Sequence, residues 1–290
     1  MSQAGVHISV LYQPVIDALQ PHADGRYIDG TLGAGGHAAG ILQASAPTGR
    51  LLGLDADTKA LAVAAQNLAR YGERALLIHS NFENLKSIAA ANGFDPADGI
   101  VLDLGLSSMQ LADAERGFSF LSDGALDMRF NADNETTAAE LVNALDEKGL
   151  ADLIFEYGEE HASRRIARAI VNARPIETAT QLANVIERAV GRHGKIHPAT
   201  KTFQALRIAV NRELEVIENV LPQIVDTLAP GGRVAIISFH SLEDRRIKNF
   251  FKSSERLRVL TKHPIRPTRE ESIANSRSRS AKLRVAEKIL

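Results

Sequence analysis

Short apolar segments alternate with helical patterns through the first hundred residues, and this alternation limits the fold more than any other feature. The segments of strand length are Arg26–Asp29, Arg50–Asp55, Ala75–His79 and 99–104, and residues 38–44 and 59–70 have helical spacing. Strands and helices that take turns at this interval form βαβ units around a parallel sheet. The sequence therefore predicts an α/β fold with a doubly wound, mostly parallel sheet.

The alternation stops near residue 107 and resumes near residue 221. Helical spacing dominates between these positions, and one long helix is predicted over 203–217. A Pro-Gly-Gly turn then leads into a buried strand at 233–239, and 257–260 and 282–286 are candidates for two final strands. We therefore predict a sheet domain made of residues 1–106 and 221–290, interrupted by an all-helical domain at 107–220.

A glycine-rich segment follows the first predicted strand, from Asp29 to His37. Glycines at such a position let backbone N–H groups approach a ligand, and the positive end of the next helix points to the same place. Asp55 ends the second strand, 22 residues beyond Gly33, which is the position of a carboxylate that accepts hydrogen bonds from ribose hydroxyls. Loop and acid together predict a cofactor that contains a nucleoside.

The glycine spacing indicates which cofactor this is. It matches neither the dinucleotide-binding pattern nor a phosphate-binding loop, which disfavours a pyrophosphate. S-adenosylmethionine (SAM) has no phosphate, and its amino-acid end needs carboxylate and backbone partners of the kind that Asp29 and the loop offer. SAM is therefore the favoured cofactor. A nicotinamide cofactor is the alternative, because Asp55 would also suit its adenine ribose.

Two later strand ends carry candidate catalytic residues. Asp103 ends the fourth strand, and ligands of doubly wound sheets bind at the carboxyl ends of strands, so we expect Asp103 to border cofactor and acceptor. His240 follows the strand at 233–239 and is the second candidate for accepting a proton. Beside it, Ser241 with Asp244 has the spacing of a capping box at the start of a helix.

The distribution of charge points to an anionic partner. Residues 1–244 carry 20 basic and 31 acidic side chains, whereas residues 245–290 carry 14 and 4. Residues 161–212 are also basic, with ten Lys and Arg against two Glu. Nucleic acid is the commonest partner of such surfaces, so we assign RNA contacts to Arg207 and Asn211 of the long helix and to Arg277 and Arg279 of the tail.

The segment 116–120, Arg-Gly-Phe-Ser-Phe, has two interpretations. Its two aromatic rings could stack on a nucleic-acid base beside the arginine. They could equally anchor a loop to the core of the helical domain. Spacing alone does not separate these alternatives.

Several classes of function are excluded or disfavoured. The chain has no cysteine, which excludes disulfides, thiolate metal sites and a cysteine nucleophile that attacks a pyrimidine ring. His193 and His197 have the i, i+4 spacing of metal ligands on a helix, but Gly194 and Pro198 disfavour a helix there, so no metal is expected. No apolar segment approaches the roughly 18 residues of a membrane span, and no secretory signal is recognisable. We expect a soluble, cytoplasmic protein.

Several long motifs together resemble those of the bacterial 16S ribosomal RNA N4-cytidine methyltransferases. They are HISVL at 7–11, DGTLGAGGH at 29–37, DLGLSSMQ at 103–110, RGFSF at 116–120, LDMR at 126–129, YGEE at 157–160, HPAT at 197–200, FQALRI at 203–208, ISFHSLEDR at 237–245 and NSRSRSAKLR at 275–284. The resemblance spans nearly the whole chain, including the predicted insertion.

The resemblance implies a SAM-dependent methyltransferase with a Rossmann-like sheet and an inserted domain that helps to engage substrate. Its substrate would be the exocyclic N4 of one cytidine in the decoding centre, at the P site, of 16S rRNA within the small ribosomal subunit. The implied cofactor contacts are Gly35, Gly36, His37, Asp55, Phe82, Asp103 and Gln110. Ala38, Ala112 and Ala125 stand where the family usually has Ser, Asp and Pro, and none of these departures removes an implied contact.

The implied reaction is an in-line methyl transfer to the amine. From their positions at strand ends, we predict Asp103 as the hydrogen-bond acceptor and His240 as the second candidate. A rival of another class is a SAM- and RNA-binding ribosome-assembly protein without catalysis. SAM binding without methyl transfer would favour that rival.

Overall fold

The computed structural model describes residues 9–107, 110–111, 113–120, 123–132, 134–192, 194 and 196–289. His7 and Ile8 of the first motif, Ala112 and the candidate metal ligand His193 lie outside these residues. The chain forms two compact units, one of Met1–Gly105 with Glu215–Leu290 and one of Leu106–Leu214. The second unit ends before residue 220 because Ile217 and Val220 pack in the core of the sheet.

In the described part of the first unit, seven strands form one sheet. They are β1 (Arg26–Asp29), β2 (Arg50–Asp55), β3 (Ala75–His79), β4 (Ala97–Asp103), β5 (Leu228–Ser238), β6 (Leu257–Val259) and β7 (Lys282–Lys288). Their order is β3-β2-β1-β4-β5-β7-β6. The first five pair in parallel, whereas β7 runs antiparallel to β5 and β6. The prediction of a mostly parallel sheet with two late strands is confirmed.

Helices occur in both units and are numbered in chain order. They are α1 (Tyr12–Leu19), α2 (Gly36–Ala44), α3 (Thr58–Leu68), α4 (Leu85–Ala91), α5 (Ala138–Ala144), α6 (Glu147–Gly158), α7 (Ser163–Ala173), α8 (Ala179–Val190), α9 (Thr200–Asn211), α10 (Glu213–Thr227), α11 (Ser241–Ser253) and α12 (Arg269–Ala274). In the described residues, no helix combines the length and the apolarity that a membrane span requires.

Side chains of the central strands alternate between two apolar cores. In β4, Ile100 and Leu102 belong to one core, together with residues of α4, α10 and α11. Val101 belongs to the other core, which includes residues of α1, α2 and α3. Successive side chains of a strand point to opposite faces, so both faces of the sheet are covered by helices. This double covering explains why the strands read as continuous apolar runs.

The second unit has its own helical core. Ile154 of α6, Ile166 and Ile170 of α7 and Leu182 of α8 are fully buried in it. The helix α8 begins with a capping box between Thr178 and Gln181. An isolated β-bridge joins Ala125 to Thr178, and the described part of this unit contains no β-strand.

The single long helix predicted over 203–217 is wrong. The chain forms α9 and α10 instead, and Arg212 between them adopts a left-handed conformation with φ of 50°. Its backbone N–H closes α9 by bonding to the carbonyl of Ala209 at 3.3 Å. A non-glycine residue rarely adopts this conformation, which is why apolar spacing alone did not reveal the break.

Candidate functional site

The carboxyl ends of β1, β2 and β4 are joined by the loop that follows β1. Gly30 donates its N–H to the carbonyl of Val101 at 3.0 Å, and Leu32 donates to that of Leu54 at 2.9 Å. The hydroxyl Oγ1 of Thr31 accepts the N–H of Asp103 at 2.6 Å. These three bonds fix the loop against both neighbouring strands.

Conformation and close packing explain the glycines of this loop. Gly33 and Gly35 have φ of 53° and 81°, a region that favours glycine. A Cβ atom on Gly36 would lie 2.0 Å from Oγ of Ser9, so this position also leaves no room for a side chain. The loop runs directly into α2, whose first residue is Gly36. Its backbone can therefore approach the carboxylate of a ligand at the positive end of the helix.

Asp55 links the loop to the end of β2. Its Oδ2 accepts the N–H of Gly33 at 2.8 Å, and its Oδ1 accepts the N–H of Asp57 at 2.8 Å. Burial raises the pKa of Asp55, and these two hydrogen bonds act in the opposite direction. A carboxylate has about four acceptor positions. Each oxygen thus retains capacity for a hydroxyl donor, which the predicted ribose contact requires.

His37 joins the N-terminal segment to the loop. Its Nε2 lies 3.0 Å from the carbonyl of Val10, and because a carbonyl only accepts, Nε2 carries the proton. Burial lowers the pKa of His37, and its ring stacks on that of Tyr12 with 6.4 Å between centroids. Leu11 in turn donates its N–H to Oε1 of Glu271 at 2.7 Å. Because the imidazole of His37 bonds to the carbonyl of Val10, the predicted cofactor contact would come from the backbone of His37.

Phe82 lies at the same end of the sheet. It begins a short 3-10 turn after β3, and a Cβ atom on Gly30 would be 3.2 Å from its Cβ. The structure therefore brings Phe82 next to the end of β1. Gln110 belongs to the second unit, where its Oε1 accepts the N–H of Ser107 at 2.9 Å.

Asp103 is the most strongly perturbed acid of this region. Burial raises its pKa to about 7, Arg277 lowers it and Glu243 raises it further. Its Oδ1 is buried and has no hydrogen-bond partner among the described residues. Asp29 at the end of β1 is also affected, because burial raises its pKa to about 6 against the attraction of His37. An unpartnered buried carboxylate oxygen is costly unless a ligand satisfies it.

The capping box at the start of α11 differs from the one predicted. The cap is His240, whose Nδ1 accepts the N–H of Glu243 at 3.4 Å, so the prediction of Ser241 with Asp244 is wrong by one residue. Oε2 of Glu243 accepts the N–H groups of Phe239 at 2.8 Å and of His240 at 3.3 Å. Nε2 of His240 lies 3.1 Å from Oε1 of Glu243. The imidazole therefore faces Glu243, which makes Asp103 the stronger candidate base.

Asp244 has a different role from the cap. Its Oδ1 accepts Nε of Arg284 at 2.6 Å, and Nζ of Lys282 lies 3.4 Å from its Oδ2. Although burial alone would raise the pKa of Asp244, the hydrogen bond from Arg284 brings it below the ordinary value. These contacts fasten α11 to the start of β7.

Both side chains of α9 that were assigned RNA contacts have internal partners in the structure. Arg207 is half-buried and pairs with both oxygens of Glu213, at 2.7 and 2.9 Å. Asn211 is buried, accepts the N–H of Phe130 at 2.7 Å and donates to the carbonyl of Met128 at 2.8 Å. Their polarity serves the fold of the second unit.

The two tail arginines differ from each other. Arg279 is exposed, and its Nε donates to the carbonyl of Ser272 at 3.2 Å. Arg277 is half-buried, and its charge interacts with that of Asp103. Of these two arginines, Arg279 is the exposed one.

The aromatic residues of segment 116–120 anchor their loop. Phe118 is buried and stacks on Phe130 with 5.7 Å between centroids. Phe120 stacks on His197 at 4.4 Å and meets Phe203 edge-on at 5.4 Å. The anchoring interpretation is the one that the structure favours.

Sequence reasoning missed Thr31, Glu271 and the capping role of Glu243. Thr31 stands inside the glycine motif, so its position was visible although its bond to the next strand end was not. Glu243 follows the cap by three residues, which is the spacing of a capping box, but histidine is not a common cap. Nothing local indicated that Glu271 would meet the N-terminal segment.

Comparison with known proteins identifies one family. Its model, the MraW methylase family, matches residues 4–289. A ribosomal RNA small subunit methyltransferase H from Dehalococcoides mccartyi is 50% identical over 303 aligned residues, covering 98% of this chain and 87% of the relative. A protein of the same name from Thermomicrobium roseum is 49% identical, covering 98% and 94%.

Solved structures resemble this fold at low sequence identity. A crystal structure of a candidate rRNA methylase from Clostridium thermocellum aligns with a TM-score of 0.50 and 14% identity, covering 98% of this chain and all of the other. At this identity the likeness concerns the fold alone, which is the Rossmann-like methyltransferase sheet.

Proposed function

The chain belongs to the MraW methylase family, and from that membership we propose that it methylates the exocyclic N4 of one cytidine in 16S rRNA. The cytidine lies in the decoding centre, at the P site, and the substrate is the small ribosomal subunit. The motifs of the sequence and the small-subunit names of the relatives support this proposal. The observation that carries it is the buried oxygen of Asp103 at the end of β4, which lacks a partner among the described residues.

The enzymes of this family are methylases, and SAM is the cofactor. The residues at the carboxyl ends of β1, β2 and β4 fit it. The backbone of Gly35, Gly36 and His37 would receive the amino-acid end, because it forms the positive start of α2. Asp55 would accept the ribose hydroxyls, and Phe82 would lie against the adenine. SAM supplies a methyl group on a sulfonium, which is electrophilic.

The chain's own contribution is orientation and acceptance of a hydrogen bond. The lone pair of cytosine N4 is delocalised into the ring, so the amine must be aligned and polarised before it attacks. Alignment of two reactants can contribute up to roughly 7–11 kcal/mol. Oδ1 of Asp103 is the acceptor for one N4 hydrogen, and it would take the proton as the bond from N4 to the methyl carbon forms and the bond from that carbon to sulfur breaks, which leaves a neutral thioether. Since burial raises the pKa of Asp103 to about 7, the carboxylate form gains population through neutral pH.

Cysteine chemistry has no part in this reaction. Methylation of a pyrimidine ring carbon by the covalent route needs a thiolate nucleophile, and this chain has no cysteine. An exocyclic amine needs no covalent intermediate, because it is itself the nucleophile. The composition therefore agrees with N4 as the acceptor.

RNA contacts would come from exposed basic side chains of each unit. In the second unit, Arg164, Arg165 and Arg168 are exposed on α7, opposite its buried Ile166 and Ile170. In the first unit, Arg279 is exposed beside α12. Phosphate contacts of this kind supply affinity and register, with little base specificity.

The test uses small ribosomal subunits from cells that lack this protein. We would incubate them with the full chain and methyl-labelled SAM, digest the rRNA and identify the labelled nucleoside by mass spectrometry. Label in N4-methylcytidine from one site is the expected result. SAM binding with no label in any nucleoside would contradict the proposal and favour a non-catalytic assembly protein.

A further inference from the structure

The sheet register brings the C-terminal part of the chain to the end of β4. Asp103 of β4 pairs with Ile237 of β5, and Ile237 pairs with Leu283 of β7. Because β7 is antiparallel, its first residues lie at the edge where β4 and β5 finish. Neighbouring strands are about 4.8 Å apart. The turn that precedes β7 is therefore close to Asp103.

This turn is held in one conformation by its own hydrogen bonds. Oδ1 of Asn275 accepts the N–H of Arg277 at 3.2 Å, and Oγ of Ser278 donates to the carbonyl of Asn275 at 2.8 Å. Ser278 is fully buried, and Ala281 closes the turn by donating its N–H to the carbonyl of Ser278 at 2.8 Å. These hydrogen bonds restrict the backbone from which the side chain of Arg277 extends.

Arg277 is less exposed than most of its neighbours in the turn. Its neighbours Ser276, Arg279 and Ser280 are exposed, whereas Arg277 is half-buried. A guanidinium loses hydration when it is buried, and an opposite charge nearby compensates for that loss. Asp103 is such a charge, since it raises the pKa of Arg277 against the effect of burial.

Acidic groups also act on Asp103. Glu243 of α11 and Asp29 of β1 both repel its carboxylate. Among the described residues, Arg277 is a basic group that acts on it in the opposite direction. A carboxylate surrounded in this way depends on its cationic neighbour for charge balance.

We propose that Arg277 is a positioning residue for the methyl transfer, whose guanidinium keeps the Asp103 carboxylate charged and oriented toward the N4 amine. This role rests on the function proposed above. The two arginines of the basic tail motif then have different functions. The half-buried Arg277 positions the carboxylate of Asp103, and the exposed Arg279 contacts RNA. The two share a turn and a charge, so each is the control for the other.

The experiment compares Arg277→Gln, Arg277→Lys and Arg279→Gln in the full chain. Single-turnover methylation of small subunits would be followed between about pH 6 and 9 at saturating SAM, with KM for the subunit measured separately. Arg277→Gln should move the midpoint of the acidic limb upward by about one pH unit, equal to a tenfold loss of rate at low pH. Arg277→Lys keeps the charge and should restore most of that shift in the midpoint, but its plateau rate should stay below that of the unmodified chain because it lacks the planar guanidinium. Arg279→Gln should raise KM and leave the midpoint unchanged.

The outcomes separate the two proposals. If the unmodified chain forms no N4-methylcytidine, the proposed function fails. If it does, and Arg277→Gln is folded and active with an unchanged midpoint, the role of Arg277 is overturned. If Arg277→Gln does not fold, Arg277→Lys decides. It retains the charge without the planar guanidinium, so a wild-type rate at every pH would contradict an orienting role.

Discussion

The hydroxyl of Thr31 accepts the backbone N–H of Asp103 at 2.6 Å, and this bond connects the glycine loop to the strand end that carries the candidate base. Thr31→Val keeps the shape of the side chain and leaves that N–H without its acceptor. We expect it to lower the free energy of unfolding by about 1–3 kcal/mol. Thr31→Ser keeps the hydroxyl and should lose much less. Equal urea unfolding curves for the two variants would contradict this role.

The burial of Asp103 predicts a stability that depends on pH with a definite sign. Its pKa is about 7 in the folded chain against an ordinary 3.8, so the folded state binds the extra proton between these pH values. Its contribution to stability is therefore lost as pH rises from 4 to 7. Asp103→Asn should stabilise the protein by roughly 1–3 kcal/mol at pH 8 and by much less at pH 4, measured by denaturant unfolding.

Asp226 is the control for that prediction because its shift has the opposite sign. It is exposed, and the hydrogen bonds from Lys86 and Arg256 lower its pKa. Asp226→Asn should therefore cause a small loss of stability at pH 8, because exposed ion pairs contribute little. A loss of stability at pH 8 from Asp103→Asn as well would show that burial does not destabilise the Asp103 carboxylate.

Asp55→Ala tests the cofactor site. The change removes the acceptor of Gly33 N–H and the proposed partner of the ribose, so we expect SAM affinity to fall by about ten- to a hundredfold. Calorimetric titration with SAM measures this. Asp57→Ala is the matched control, because Asp57 caps α3 through the N–H of Lys59 at 2.9 Å. It should cost about 1 kcal/mol of stability and leave SAM affinity unchanged; equal affinities for both variants would exclude the ribose contact.

The exposed arginines of α7 should contribute to RNA affinity through phosphate contacts. Replacing Arg164 and Arg165 by Gln should weaken binding to the small subunit and flatten the dependence of log affinity on log salt by about one to two units. Lys148→Gln on α6 serves as control, because Lys148 pairs with Asp152 at 2.7 Å. A salt slope that stays the same in the double variant would place the RNA elsewhere.

Asn211 should matter for stability and not for RNA. Asn211→Ala leaves the N–H of Phe130 and the carbonyl of Met128 without their partner, which should cost about 2–3 kcal/mol of unfolding free energy. The slope of log affinity for the small subunit against log salt concentration should equal that of the unmodified chain. Asn184→Ala, at an exposed position of α8, should change neither quantity. A reduced slope in the Asn211 variant would restore the RNA contact that the sequence suggested.

The sheet was predictable because its causes are local. Segments such as Arg50–Asp55 are apolar, of strand length and bounded by helical spacing, and burial on both faces requires that pattern. The acids at strand ends were predictable for a related reason. Because β2 and β4 both run parallel to β1, Asp55 and Asp103 at their carboxyl ends lie at the same edge of the sheet.

Features set by distant contacts were not predictable in this way. Asn211 resembles a surface residue by spacing, yet its partner Phe130 is 81 residues away along the chain. The break at Arg212 has no glycine or proline to mark it. His240 displaced Ser241 as the cap because Glu243, three residues on, accepts the backbone N–H of His240. For Asn211 a tertiary contact outweighed the local preference, whereas the turn at Arg212 and the cap at His240 are local choices that apolar spacing does not reveal.

Whether Asp103 accepts the hydrogen bond of the attacking amine can be decided with Asp103→Asn. This variant would be assayed in a single turnover with small subunits at saturating SAM and pH 8, with SAM affinity measured by calorimetry on the same preparation. We expect a rate at least about a hundredfold lower, with SAM still bound, because the amide cannot take the proton. A full single-turnover rate in the SAM-saturated variant would contradict the role of Asp103 as the acceptor.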